Sequence, residues 1–60
     1  MPLPKDPLLL MSVLNTKLRD FYPDLDALCD DLNEDRALLE KTLSAVGYFY
    51  DPQRNQFVRR

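Results

Sequence analysis

The amino-acid sequence predicts a mainly α-helical fold, in which three helices arranged like a helix-turn-helix domain precede a short, wing-like C-terminal β-hairpin. Leucines recur at helical spacing through most of the chain, the only glycine follows them, and two short segments of strand-forming residues come last. A chain of 60 residues has room for a single domain, 1–60. Its expected parts are an extended arm over 1–5, helices over 7–21, 25–31 and 34–46, and a hairpin over 48–58.

The first helix is predicted from its start signal and its apolar period. Asp6 offers a side-chain acceptor at the cap, and the missing N–H of Pro7 costs nothing in a first turn. One face carries residues at helical spacing, namely Leu10, Leu14, Leu18 and Phe21, with Met11 beside them. Lys17 falls near this stripe, and we expect its amine to reach solvent. Leu8, Leu9 and Val13 lie on the flanks, so the helix has more apolar surface than one core stripe requires.

The second and third helices follow a proline break. Tyr22-Pro23 ends the first helix, because the residue before proline disfavours the helical region, and Asp24 can cap the second. Asn33 is predicted to cap the third helix, with acidic residues after it that suit a helix N-terminus. The predicted inner faces are Leu25, Leu28 and Leu32 for the second helix, and Leu38, Leu39, Thr42, Ala45 and Val46 for the third, with Leu43 at the edge.

The hairpin prediction depends on the change of pattern after Gly47. This glycine stands where a left-handed C-cap is needed. Tyr48-Phe49-Tyr50 and Phe57-Val58 favour strands, and the intervening segment 51–55 is typical of a turn. Because an isolated hairpin is marginally stable in water, some of its aromatic residues are expected to pack on the helices.

Composition limits how so short a domain is stabilised and where it works. Cys29 is the only cysteine and histidine is absent, so a disulfide is impossible and a metal staple is nearly excluded. Leucine packing, supplemented by self-association, is expected to hold the domain together. A lone thiol fits a reducing compartment, which favours the cytoplasm. The apolar run 8–11 is far shorter than the roughly 20 residues that span a bilayer, so no membrane is expected as a partner.

Two family resemblances follow from these residues. Helix-turn-helix proteins place apolar, small and turn residues at the spacings of Leu28-Cys29, Leu32-Asn33, Leu39 and Leu43. Asn33 stands where such motifs often have glycine. Glu34 is a departure, because many of these motifs have an apolar residue there. The hairpin makes the chain look more like a winged helix.

The second resemblance covers nearly the whole chain. It is carried by Pro4-Lys5-Asp6-Pro7, the segments 15–20 and 25–32, Gly47-Tyr48-Phe49-Tyr50 and Asn55-Gln56-Phe57. These resemble the bacterial family called domain of unknown function 4250, whose members are very short. The resemblance implies a complete, free-standing bacterial protein and carries over no catalytic or binding residue.

An enzyme is not expected, and neither is a cofactor. The commonest general base, histidine, is absent, and Cys29 falls in an acidic neighbourhood that suits a buried packing residue better than a nucleophile. The acidic segment 24–35 lacks the spacing of a calcium loop and is read as a solvated face. A single glycine excludes a glycine-rich phosphate loop.

Nucleic-acid binding, as a winged helix-turn-helix regulator, is the alternative function. Its candidate contacts are Arg36, Lys41, Arg54, Arg59 and Arg60. Charge argues against it, because the net charge is −2 and no base lies between Asp24 and Asp35.

The preferred function is a protein–protein interaction module. The candidate interface is Leu8, Leu9 and Val13, and the partner is an unidentified protein or a second copy in a homodimer. The competing interpretation is that Leu8 and Leu9 pack under the N-terminal arm or the hairpin.

Overall fold

The computed structural model describes residues 3–60 and contains three helices and a two-stranded hairpin, as the sequence predicts. In chain order they are α1 (Pro7–Asp20), α2 (Leu25–Leu32), α3 (Arg36–Ser44), β1 (Tyr48–Asp51) and β2 (Gln56–Arg59). Residues 3–5 form no helix or strand, and the rest of the predicted arm, residues 1–2, lies outside the described residues.

The start of α1 follows its sequence signals, but its end does not. The Asp6 carboxylate accepts hydrogen bonds from the N–H groups of Leu8 at 2.9 Å and Leu9 at 3.4 Å. The helix ends at Asp20, one residue before the predicted end, and Phe21 has the non-helical angles φ −126° and ψ −26°. The prediction that Phe21 joins the core is therefore wrong: its side chain is 71% exposed.

The boundary between α2 and α3 corrects a second prediction. Asn33 does not cap α3. It adopts the left-handed conformation, φ 56° and ψ 47°, and ends α2, which is one residue longer than predicted. Asp35 caps α3 instead, accepting from the N–H of Ala37 at 2.9 Å, so α3 begins at Arg36 rather than Glu34. Asparagine tolerates the left-handed region better than most residues, which explains its use where related turns have glycine.

The inner face of α3 is also different from the predicted one. Leu39 and Leu43, one helical turn apart, are buried, whereas Leu38 is 60% exposed. Ala45 and Val46 lie beyond the helix, which ends at Ser44 rather than Val46, and both are exposed. Gly47 then takes the predicted left-handed conformation, with φ 86°. The helix thus contacts the core through a narrower stripe, centred on Leu39 and Leu43.

The core draws on all three helices and the second strand. Its buried members are Leu10, Leu14, Leu18, Leu25, Leu28, Cys29, Leu39, Leu43 and Phe57. The three leucines predicted for α1 are confirmed, at 0–4% exposure. β1 and β2 pair antiparallel, with Tyr50 opposite Phe57, and the rings of these two residues pack at 5.6 Å. Phe57 lies in the core and Tyr48 and Tyr50 pack against it, so some of the aromatic residues of the hairpin pack on the helices as expected.

Candidate interaction surfaces

One polar side chain attaches the hairpin to α1. Asn15 accepts a hydrogen bond from the Phe57 N–H at 2.7 Å and donates one to the Phe57 carbonyl at 3.1 Å. Its side-chain amide therefore bonds β2 as a neighbouring strand would. Gln56 reinforces the junction by donating to the Asn15 carbonyl at 2.9 Å.

A second polar cluster joins the hairpin turn to the ends of α1 and α2. Asn55, left-handed at φ 54°, donates to the carbonyls of Leu18 at 3.0 Å and Tyr22 at 2.9 Å. The Tyr50 hydroxyl donates to Asn55 at 2.8 Å and accepts from the Leu25 N–H at 3.2 Å. Buried carbonyls and N–H groups at helix ends need such partners. Asn15, Tyr50 and Asn55 lie in segments that carry the family resemblance, and their contacts here are structural.

An exposed apolar surface runs along the side of α1. We call it the α1 apolar face and define it as Leu9, Val13 and Phe21, with Lys17 between them. Leu9 is 59% exposed and Phe21 71%. Val13 and Lys17 are partly buried and, with Phe21, line a shallow depression of about 240 Å³ that Ser12 and Thr16 complete. Leu9, Val13 and Lys17 recur every fourth residue of α1, and Phe21, just beyond the end of the helix, lies with Val13 and Lys17 at the depression.

The predicted interface residues are only partly brought together. Leu9 and Val13 lie one turn apart on the α1 apolar face, but Leu8 points about 100° away from Leu9 around the helix. Leu8 is 56% exposed, so neither leucine is covered by the described part of the arm or by the hairpin. The sequence did not indicate Phe21 for this surface, because its spacing also fits the core stripe and only the end of α1 at Asp20 turns it outward.

The five candidate nucleic-acid contacts differ in which groups of the protein they already contact. Arg36 bonds Asp26 at 2.8 Å, lies 3.5 Å from Glu40 and packs over the Tyr50 ring, and the Asp26 bond raises its pKa. Arg54 lies 3.7 Å from Asp51, and the Arg60 guanidinium lies 4.8 Å from the centre of the Phe49 ring. The remaining two candidates, Lys41 and Arg59, are exposed.

Five of the six acidic residues in the segment 24–35 are exposed, and four of the six bond other groups of the chain. Asp24 and Asp35 cap helices, and Asp26 pairs with Arg36. Asp31 accepts a 2.5 Å hydrogen bond from the Tyr22 hydroxyl, which raises the pKa of that tyrosine. Within residues 3–60, no three histidine, cysteine or acidic side chains are grouped as a metal site requires.

Cys29 is buried, as its sequence context predicts. Its side chain belongs to the core, at 6% exposure. Burial raises the pKa of the thiol, with a further upward contribution from neighbouring carboxylates that the Arg36 charge opposes. A thiol in this environment is held in its protonated, poorly nucleophilic form at neutral pH.

Together these features define a small helical domain whose hairpin is bonded to α1 and whose α1 apolar face is exposed. The chain belongs to the family described as domain of unknown function DUF4250, whose model matches residues 4–57. No curated protein and no solved structure shows significant similarity to it. No helix within residues 3–60 is long and apolar enough to cross a membrane. The likeness to winged helix-turn-helix domains stays a prediction.

Proposed function

We propose that this chain is a non-catalytic bacterial domain of the cytoplasm that binds another protein through the α1 apolar face. The observation that carries the proposal is the exposure of two large apolar side chains, Leu9 on α1 and Phe21 directly after it, at the two ends of this face. Aromatic residues, phenylalanine among them, are enriched at protein interfaces relative to the rest of the surface.

The position of this face supports an external partner. The core stripe of α1 carries Leu14, and the side chain of Asn15 directs another side of the helix toward β2. The α1 apolar face lies on the remaining side, where the described part of the chain leaves Phe21 uncovered. A partner therefore gains apolar contact there without disturbing the core.

The chemistry of the depression suggests what kind of segment it accepts. Val13 and Phe21 offer apolar walls, and Lys17 contributes a cation between them. We infer that the partner presents an amphipathic segment, with an apolar side chain for the depression and a carboxylate for Lys17. Such a helix-in-groove arrangement uses apolar anchors for affinity and charge for orientation.

A non-catalytic role is supported by the sequence and by the environment of its one thiol. The chain has no histidine, and Cys29 is buried with a raised pKa. A lone cysteine also suits the reducing cytoplasm. Nucleic-acid binding ranks second, because Arg36 and Arg54 lie beside carboxylates that compete with phosphate.

The test compares matched substitutions of two exposed apolar residues. The purified protein is immobilised as bait, and proteins captured from the native cell extract are quantified for the wild type, Phe21→Glu and Leu38→Glu. Leu38, 60% exposed on α3, controls for adding a negative charge to an exposed apolar position. We expect a partner that Leu38→Glu retains and Phe21→Glu loses by at least about tenfold, equivalent to 1.4 kcal/mol. Equal loss with both variants, or with neither, contradicts the assignment of this face.

A further inference from the structure

The two outer edges of the hairpin are not equivalent. The Phe57 N–H and carbonyl point away from β1, because both bond the Asn15 side chain. In an antiparallel pair, opposite residues face outward together, so the main-chain groups of Tyr50, opposite Phe57, point away from β2. The same alternation turns the main-chain groups of Tyr48 outward. Asn15 thus covers the β2 edge, whereas no main-chain group within residues 3–60 bonds the outward groups of Tyr48 and Tyr50.

The β1 edge carries few of the features that usually prevent strand addition, although β1 is short, at four residues, and α3 contacts it. Natural edges are protected by charged side chains, proline or a bulge. The segment Tyr48-Phe49-Tyr50 contains no charge and no proline, and its register with β2 runs without a bulge. The outward main-chain groups of Tyr48 and Tyr50 have no main-chain partner within residues 3–60 and can bond another extended strand.

We propose that a second copy of this chain adds its own β1 to this edge, antiparallel and across a two-fold axis at Phe49. Tyr48 of each copy then lies opposite Tyr50 of the other, and each such pair exchanges two main-chain hydrogen bonds. The result is a four-stranded sheet, with the two β1 strands at its centre. The inference goes beyond the proposed function, because it uses a different surface and leaves the α1 apolar face exposed.

The position of the axis follows from which groups point outward. A shift of the pairing by one residue sets outward groups against groups already used by β2. An axis at Tyr50 places Tyr48 opposite Pro52, which has no N–H to donate. An axis at Tyr48 places Tyr50 opposite Val46, which precedes the strand. Only the axis at Phe49 pairs both outward residues of β1 with each other.

Side chains and charges are compatible with this register. Phe49 lies on the sheet face away from the core, so it meets the Phe49 ring of the second copy in a close, non-hydrogen-bonded pair. Asp51, the only charged residue of β1, lies opposite Gly47 rather than another acid. The paired β1 strands therefore set no like charges directly opposite each other, and the Arg60 guanidinium of each copy lies over its own Phe49 ring.

Sedimentation equilibrium of the full chain tests the proposal. At high micromolar concentration, the wild type is expected to approach twice its 7.0 kDa mass, whereas Phe49→Lys is expected to stay at 7.0 kDa because two lysines then face each other. Val58→Lys is the matched control: Val58 lies on the same sheet face but on β2, so dimerisation is expected to persist. Circular dichroism verifies that both variants are folded.

A charge-swap mixture tests the axis itself. Phe49→Lys and Phe49→Glu are each expected to be monomeric, and their equimolar mixture is expected to recover the dimer, because a lysine of one copy then faces a glutamate of the other. In the wild type, amide exchange of Tyr48 and Tyr50 is expected to slow as concentration rises, which supplies a readout even if a variant fails to fold. The proposal is overturned if the wild type is monomeric, if Phe49→Lys dimerises as well as the wild type, or if the mixture recovers no dimer. It is also overturned if Leu9→Glu abolishes the dimer and Phe49→Lys does not.

Discussion

Replacing Asn15 with alanine is expected to destabilise the domain more than the substitution of a partly exposed polar residue usually does. The substitution removes the 2.7 Å bond from the Phe57 N–H and the 3.1 Å bond to its carbonyl. Each such bond contributes about 1 kcal/mol net, so the loss is about 2 kcal/mol. A domain of this length has a total stability of roughly 3–9 kcal/mol, at about 0.05–0.15 kcal/mol per residue. The expected fall in Tm is roughly 8–16 °C, from about 4–8 °C per kcal/mol.

Urea and thermal unfolding of Asn15→Ala, followed by circular dichroism, measure this loss. Thr16→Ala is the control, because Thr16 is exposed and bonds only the Ser12 carbonyl of its own helix; its stability is expected to change by less than about 0.5 kcal/mol. Amide exchange at Phe57 is expected to accelerate in Asn15→Ala alone. A loss below about 0.5 kcal/mol for Asn15→Ala would show that this side chain does not fix the hairpin to α1.

Three further outcomes are expected. Gly47→Ala should cost about 1–2 kcal/mol in urea unfolding, because φ 86° is strained for any side chain although a Cβ there meets no atom within 4 Å; an unchanged midpoint would contradict this. Burial raises the pKa of Cys29, so the folded protein keeps a proton that the unfolded chain releases near the ordinary value of 9.0. Stability should therefore be full below that pH and fall as pH rises through the folded pKa. Cys29→Ala should reduce the fall of the urea midpoint with rising pH, and an unaltered pH profile would contradict this expectation. Tyr22→Phe is the control for the raised pKa of that tyrosine. Mixed-sequence duplex DNA should show no binding in fluorescence anisotropy at low salt; binding that Arg54→Ala weakens would instead favour the nucleic-acid alternative.

The sequence predicted the elements whose signals are local. Leu10, Leu14 and Leu18 repeat over a helix long enough for its period to be clear, and Asp6 and Asp24 cap as their positions suggest. Errors arose where two neighbouring residues can do the same task. Asn33 and Asp35 are both good caps, and only the left-handed conformation of Asn33 decides between them.

Long-range contacts account for most of what the sequence could not indicate. Asn15 lies 42 positions from Phe57, and Asn55 lies 33 positions from Tyr22, so no local pattern indicates that their side chains bond distant main chain. The exposure of Phe21 likewise depends on where α1 ends, because one more helical residue would direct it toward the core. The flanking Leu9 and Val13 were accessible to sequence reasoning, since their positions follow from the helical period alone.

Site-specific photo-crosslinking in living cells determines whether the α1 apolar face binds a protein. A photoreactive amino acid replaces Val13, which lines the depression on this face, and in a second strain it replaces the exposed Leu38 of α3. A discrete crosslinked product of one partner is expected from position 13 and none from position 38. No product from position 13, or the same product from both positions, would contradict it.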